Sequence, residues 1–256
     1  MSVLQRAAAK LTWTLEVVGR RDDGYHLLRS EMVSLALADD IVIDENGSGC
    51  VFVDGAAAPV AHLIDPVDNL VTKALDLVGR SAGVVVTKRI PVGGGLGGGS
   101  SDAAAILRWA GVLDADVAVT LGGDVPFCLR GGRALVEGVG ERITRWPDLS
   151  RQVTLILPDF GVSTPACYRM FDDMWAGGWR PRGRNHLFEP ALQVEPRLAR
   201  ARDFIEDLTG RPVELCGSGS TMFIEGVLPG DREWDVQGPD GSIHILGTET
   251  SPAVGA

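Results

Sequence analysis

Residues 7–18 (AAAKLTWTLEVV) alternate between apolar and polar and are rich in Thr, Trp and Val, which predicts a strand with Lys10 near its start. A charged turn, GRRDDGYH, follows between Gly19 and Gly24. Leu27–Leu37 and Asp40–Ile43 predict two more strands, split at Ala38-Asp39, and Val51–Val53 a short one beyond the Asn46-Gly47 turn. The period then changes. Val67, Leu70, Val71, Ala74, Leu75 and Val78 recur at helical spacing. Asp65-Pro66-Val67-Asp68 supplies the start, with Asp65 as N-cap and Pro66 at the first position, and Gly79 the stop. Val84–Thr87 reads as a strand and Asp102–Ala110 as an alanine-rich helix. Further on, Arg133–Val139 and Val153–Leu157 predict strands and Pro196–Leu208 a helix. Two strands flank the glycine turn of CGSGSTMFIE, and the small, polar Gly247–Ala256 predicts a frayed end. A change of pattern around Pro147-Asp148 predicts two domains, 1–148 and 149–256, in an α+β chain.

Between Val84–Thr87 and the alanine-rich helix lies the densest chemical signal, KRIPVGGGLGGGSSDAAA, in which six of the seven residues from Gly93 to Gly99 are glycine. Strand, glycine loop and helix N-terminus in that order make an anion site. Glycines let backbone N–H groups approach a ligand without Cβ clash, and the helix dipole favours negative charge. The loop is therefore read as a cradle for a nucleotide's phosphates, against the alternative of a flexible linker. A Walker A loop requires Lys after its last glycine, where Ser100 stands. The dinucleotide pattern G-x-G-x-x-G is met by Gly93, Gly95 and Gly98, but in a glycine run that match is nearly automatic, and several strands already precede the loop.

Composition changes this picture in three places. A net charge of −10 argues against a nucleic-acid binder, so any anion needs a local cationic or N–H-rich pocket. Lys10, Lys73 and Lys88 are the three lysines, against 21 arginines, which makes each lysine worth a question. Cys50, Cys128, Cys167 and Cys216 form no C-x-x-C pair, and no run of 18 apolar residues occurs; the chain reads as cytoplasmic with reduced thiols, off the membrane and without an internal repeat. Its oligomeric state is not legible.

Pro91, Gly95, Leu96, Gly97, Ser100, Ser101 and the following alanines fit a third pattern, Pro-x-x-x-Gly-Leu-Gly-x-x-Ser-Ser/Asp-Ala-Ala. The chain thereby resembles the small-molecule kinases of the galactokinase, homoserine kinase, mevalonate kinase and phosphomevalonate kinase (GHMP) family. GGGLGGGSSDAAA, the block through Gly-Arg-Arg-x-Asp-Gly-Tyr-His, DPVDNLVTKAL, LGGDVPFCLRGG, PDFGVSTPACY and CGSGSTMF are similar, in order and over about residues 7–225, to the branch of that family acting on a cytidine-diphosphate sugar alcohol. The resemblance implies a ribosomal-protein-like first domain, a ferredoxin-like second domain and a cleft between them. It implies ATP-dependent phosphorylation of the sugar alcohol's 2-hydroxyl, with Mg²⁺, in non-mevalonate isoprenoid precursor synthesis.

On that resemblance Asp124 is the general base, and Lys10 orients it and offsets phosphoryl charge. Asn69, Lys88, Pro91, Gly93, Gly94, Gly95, Leu96, Gly97, Gly98, Gly99, Ser100 and Ser101 hold ATP, with Ser100 as a Mg²⁺ ligand. Tyr25 and Tyr168 lie one on each face of the cytosine, His26 reads its edge from a fixed tautomer, and Thr12, Thr164 and Pro165 complete the substrate pocket. Gly217–Thr221 packs beside the phosphate loop. Read alone, Asp124 is as well a turn residue in a Gly–Pro turn, Lys10 a solvated strand-end lysine, Ser100 and Ser101 helix caps, and the tyrosines and His26 packing residues.

Four departures mark this chain: Thr12 stands where these kinases carry Asn, and Cys128 where they carry an aromatic. The connection from Ala105 to Asp124 is shorter by about two helical turns, and the end after Gly226 is abbreviated. A sister kinase with another alcohol substrate and a non-catalytic nucleotide-binding relative are the alternatives. The Gly-Tyr-His block with Tyr168 argues against the first, and Lys10 with Asp124 against the second.

Overall fold

The computed structural model describes residues 2–55, 62 and 64–254. Its elements run β1 (Ser2–Thr12), β2 (Glu16–Arg20), β3 (His26–Asp44), β4 (Cys50–Asp54), α1 (Leu70–Leu77), β5 (Gly83–Lys88), α2 (Gly98–Ala110), α3 (Ala115–Ala118), α4 (Val125–Arg130), β6 (Arg133–Gly138), β7 (Arg142–Trp146), β8 (Gln152–Pro158), α5 (Thr164–Ala176), α6 (Phe188–Val194), α7 (Pro196–Thr209), β9 (Glu214–Leu215), β10 (Met222–Glu225), β11 (Glu233–Gly238) and β12 (Gly241–Ser251). The described strands form one 12-stranded sheet along the path β4-β5-β3-β12-β8-β10-β9, with β1, β2 and β6 also pairing β3.

β3 is the spine of this sheet. It spans 19 residues without the break expected at Ala38-Asp39. Asp39 reads as a strand breaker in isolation. Here it is fully buried, accepts from Lys88 Nζ, and takes the backbone N–H of Arg89 and, at 2.9 Å, of Ile90. The partners that allow it to stay in the strand are some 50 residues distant.

Two further boundaries move. α1 begins at Leu70 with Asn69 as N-cap, whose Oδ1 accepts from the N–H groups of Val71 (2.9 Å) and Thr72 (3.0 Å). Asp65 instead closes a turn, accepting from the N–H of Val67 and Asp68, and Val67 is 80% exposed rather than on the helix's buried face. α2 begins four residues before the expected Asp102, inside the glycine run, with Gly97 as N-cap at φ 69°. Ser100 and Ser101 are therefore in its first turn and are not its caps.

The end of the chain is the largest correction. β12 pairs β8 from Ile243 to Glu249 and then β3 through Thr250–Leu35 and Ser251–Ser34. Composition predicts fraying from Gly247, yet Ser251 Oγ donates to the Leu35 carbonyl (3.0 Å) and Thr250 Oγ1 accepts from the Arg151 N–H (3.0 Å). Gly255 and Ala256, also in the expected frayed end, lie outside the described residues. The segment after Gly226, short as it is, supplies the hairpin β11–β12.

Apolar burial falls into separate cores. Ile41, Val86, Ala104, Ile106 and Phe127 belong to one, under α1, α2 and α4. Ile156, Leu198, Ile205, Met222 and Ile245 belong to another, under α6 and α7. A third, with Leu11, Leu35, Leu96, Leu155 and Phe223, draws on both halves and lies directly behind the glycine loop. No helix among the described residues is long and apolar enough to cross a membrane.

Candidate active site

Two adjoining clefts flank the start of α2. The first, of about 460 Å³, is lined by Asn69, Lys88, Pro91, Gly93, Gly95 and Leu96 through Ser100, with Phe52, Leu70 and Val92 as apolar wall. The second, of about 630 Å³, is lined by Tyr25, His26, Pro165, Tyr168, Arg169 and Asp172 among others. Ser100, Asp124 and Thr164 line both. A group crossing from one cleft to the other passes these three side chains.

The glycines of the first cleft have specific work. Gly97 has a left-handed φ, and a Cβ there would stand 2.8 Å from Lys10 Cγ; a Cβ on Gly95 (φ 79°) would meet the carbonyl oxygens of Gly219 and Cys216 at 3.0 and 3.1 Å. The loop is thus wedged between β1 and the Gly217–Thr221 turn, and the Lys10 N–H donates to Leu96 O at 2.9 Å. Gly98, Gly99 and Ser100, the first residues of α2, line the cleft at the positive end of a 13-residue helix, where a helix leaves N–H groups without intrahelical partners. Gly94 does not line it. Gly94 packs on Thr221, whose N–H donates to the Gly94 carbonyl at 3.2 Å.

Lys10 reaches the junction from β1. The β1–β3 register shifts between Ala8 and Lys10, a bulge of the type that re-aims side chains, and the last residues of β1 are buried on both faces. Lys10 Nζ lies 3.3 Å from Asp124 Oδ2 and donates to Thr12 Oγ1 at 3.0 Å. Burial works to lower the lysine's pKa, but Asp124 beside it, with the Cys216 and Cys128 sulfurs nearby, raises it above the ordinary value, so the ammonium stays charged. Asp124 precedes α4 as its N-cap residue yet makes no side-chain capping bond, which leaves its carboxylate, about a third exposed, to the clefts. Thr12 is 1% exposed, sits behind Lys10 and lines neither cleft, so its hydroxyl serves the lysine.

Other expected residues are placed as follows. Lys88 reaches the floor of the first cleft, but its ammonium is held between Asp39 and Asp102, at 2.7 Å from the latter. Burial pushes Asp102 up to about 7 against the pull of Lys88, and burial works to lower Lys88 while Asp102 and Asp39 together raise it. Ser101 is buried; its hydroxyl donates to the Ala8 carbonyl and contacts Cys128 Sγ at 3.2 Å, away from both clefts, and this corrects its expected place at the nucleotide. Thr164 opens α5, and its hydroxyl meets Ser218 Oγ at 2.7 Å, which joins the second cleft to the Gly217–Thr221 turn.

The aromatic side of the second cleft differs from expectation. His26 lies on one face of Tyr168, ring centroids 4.7 Å apart and 22° from parallel, while Tyr25 stands 66% exposed at the rim. Burial, and then Asp124, raises the Tyr168 hydroxyl above the usual range, so it remains a neutral donor. Sequence reading missed Asp172, whose Oδ1 lies 2.8 Å from His26 Nε2, and missed Arg169. The spacing Tyr168, Phe171, Asp172 on one face of α5 was the available signal.

The GHMP kinases N terminal domain family matches residues 69–132, from the N-cap of α1 through α4. The 4-diphosphocytidyl-2-C-methyl-D-erythritol kinase of Ruegeria pomeroyi is 36% identical over 256 residues, with 90% of each chain covered. The chain belongs to this kinase family. A solved 4-(cytidine 5'-diphospho)-2C-methyl-D-erythritol kinase aligns with a TM-score of 0.69 and 31% identity over 97% of this chain and all of the other. The mevalonate kinase of Methanococcus jannaschii, at 11% identity, aligns with a TM-score of 0.58 over 98% and 99% of the two chains and shares the fold. The architecture is the two-domain GHMP kinase fold.

Proposed function

We propose that this chain transfers the γ-phosphoryl group of ATP to the 2-hydroxyl of 4-diphosphocytidyl-2-C-methyl-D-erythritol. The observation that carries the reading is the junction: one N–H-rich cleft and one aromatic cleft meet at Asp124, with Lys10 3.3 Å from its carboxylate. Family membership supports the substrate assignment.

Phosphoryl transfer proceeds through a loose transition state, so the protein's task is positioning and charge stabilisation. The first turn of α2 takes the phosphates by backbone N–H groups. Asp124 accepts the proton of the attacking hydroxyl as the bond to phosphorus forms, a contribution typically of about 10²–10⁴-fold. Lys10, 3.3 Å away, aligns Asp124. Its ammonium also stabilises the charge developing on the transferred group. Tyr25, His26, Pro165 and Tyr168 receive the cytidylyl end.

Among the described residues no cluster of three or more His, Cys, Asp or Glu side chains forms a metal cage. Mg²⁺ needs none in such a site, since it retains waters and leans on substrate phosphates with one or two protein oxygens. The Ser100 hydroxyl, common to both clefts, offers an oxygen of that kind. Held there, the ion would neutralise phosphate charge.

Two domains, 1–148 and 149–256, flank the junction, and the separate apolar cores on either side of Asp148 support that division. The partners on this reading are small molecules, with no nucleic acid or membrane involved. The compartment is the cytoplasm, in keeping with four buried, unpaired thiols.

A coupled ADP-release assay across candidate alcohols, with and without the cytidylyl group, tests the assignment. ADP release should depend on the cytidylylated substrate. Equal efficiency with the uncytidylylated sugar phosphate would exclude the substrate named here.

A further inference from the structure

We infer that Asp172 is a positioning residue that fixes His26 in a single tautomer, and that this choice makes the second cleft select a base bearing an amine over one bearing a carbonyl at the same place. The inference rests on the reading of the second cleft as the site of the substrate's base.

His26 is the first residue of β3 and lines the second cleft. One face of α5 clamps its ring. Tyr168 stacks on it at 4.7 Å, Phe171 meets it edge-on at 6.1 Å and 88°, and Asp172 Oδ1 stands 2.8 Å from Nε2. These three residues are spaced i, i+3 and i+4, so a single helix face fixes the imidazole's plane, position and hydrogen-bond partner together. The other carboxylate oxygen of Asp172 is 3.2 Å from Arg20 Nη1, and Arg20 Nε donates to the Gly24 carbonyl at 3.2 Å. A guanidinium tied to the Gly24 turn thus orients the carboxylate.

An ionised carboxylate only accepts hydrogen bonds. In the neutral imidazole the proton therefore resides on Nε2, and Nδ1 is left as acceptor. Cytosine carries an amine at its 4-position, a donor, where uracil carries a carbonyl oxygen, an acceptor. A ring that offers an acceptor pairs with the first and leaves the second facing a lone pair. The opposite tautomer would reverse the preference. A site built to hydrogen-bond a particular group discriminates strongly because a mismatched partner leaves buried polar atoms unpaired.

The test uses the intact enzyme with ¹⁵N-labelled histidine, the His26 signals being assigned with a His26→Gln variant, together with kinetics on the cytidine substrate and its uridine counterpart. The native protein should show the Nε2–H tautomer. Asp172→Asn, whose amide can donate to Nε2, should shift His26 to Nδ1–H. It should raise KM for the cytidine substrate about ten- to hundredfold with kcat within about threefold, and reduce the cytidine-over-uridine preference by a similar factor. Asp172→Glu should keep Nε2–H and recover most of the preference. An Nε2–H ring with unchanged base preference in Asp172→Asn would overturn the proposal, as would a loss confined to kcat. Absence of base preference in the native enzyme would instead remove the substrate assignment, and the tautomer measurement would still decide the role of Asp172.

Discussion

Lys10 Nζ lies 3.3 Å from Asp124 Oδ2 where the two clefts meet, and the Thr12 hydroxyl holds the same ammonium from behind at 3.0 Å. A buried cation with one carboxylate partner at the mouth of the proposed nucleotide cleft suits an anionic transition state. Replacing Asp124 by Asn keeps the shape and removes the proton acceptor. Asp124→Asn should lower kcat by about 10²-fold or more while the dissociation constant for the substrate changes by less than about threefold. Rapid-quench turnover alongside equilibrium binding separates the two. Near-normal single-turnover rates would remove Asp124 from the chemistry.

The close approach of Gly97 to Lys10 ties the glycine loop to the proposed catalytic pair, Lys10 and Asp124. A Cβ at Gly97 would stand 2.8 Å from Lys10 Cγ, at a φ of 69° that disfavours any L side chain. Gly97→Ala should cost about 1–3 kcal/mol of stability from backbone strain. It should also reduce kcat, because the side chain displaced is Lys10. Gly111→Ala is the control, since its φ is also positive but nothing among the described residues stands within 4 Å of the added Cβ. If both variants lose activity equally, the effect is strain alone.

Arg169 is an exposed cation beside Tyr168 in the second cleft. The substrate named here brings a diphosphate to that cleft, and Arg169 lies where such a charge can be met. Arg169→Gln should raise KM for the diphosphate substrate several-fold, leave kcat unchanged and flatten the dependence of KM on salt. An unchanged KM and salt profile would show that the diphosphate is held elsewhere.

The four cysteines make a pH prediction. Burial pushes the thiols of Cys50 and Cys167 up to about 11 and Cys128 to about 12, and raises Cys216 as well. At pH 8 a thiol with a pKa of about 11 is thiolate at only about one part in 10³. Thiol reagents should therefore label the native protein slowly and take up four equivalents after unfolding. The linkage has a definite sign. Between the unfolded-state value near 9 and these raised values the native state binds more protons than the unfolded state, so stability falls as pH rises. The Lys10 pKa, also raised, acts in the same direction at still higher pH. Melting temperature should hold steady up to about pH 9 and decline above it; a melting temperature that climbs in that range would contradict the assigned burial.

What was legible in the sequence was contiguous. The glycine loop, the Lys10 strand, Asp124 and the Tyr25-His26 pair each announce themselves within a few residues, because phosphate cradles and turns are local constructions. What was not legible depends on distant partners. Asp39 reads as a break until Lys88 covers it. Ser101 reads as a ligand until the Ala8 carbonyl takes its hydroxyl, and Asp172 as a surface acid until β3 delivers His26 to it. Asn69 and Asp65 are both good caps by residue type, and the choice between them fell to the Thr72 hydroxyl, which accepts from the Asn69 N–H at 3.4 Å to complete a capping box.

The chain's last strand gives the sharpest test of such long-range dependence. Gly247–Ser251 is small and polar, and composition alone makes it a tail. In the fold it is the segment by which β12 spans β8 and β3, sealed by Ser251 Oγ on the Leu35 carbonyl and followed by the Val254 N–H on the Arg130 carbonyl at 2.8 Å. Ending the chain after Gly247 deletes several of these hydrogen bonds, each worth about 1 kcal/mol net, and uncovers the edges of two strands. The truncated protein should be destabilised by about 3–5 kcal/mol on that count. Because β3 carries His26 and β8 leads into α5, it should also lose turnover at temperatures where it is still folded. Differential scanning calorimetry and the ADP-release assay at 20–25 °C below the melting point measure the two effects separately. A melting curve superimposable on that of the full chain would return these residues to the role of a frayed tail.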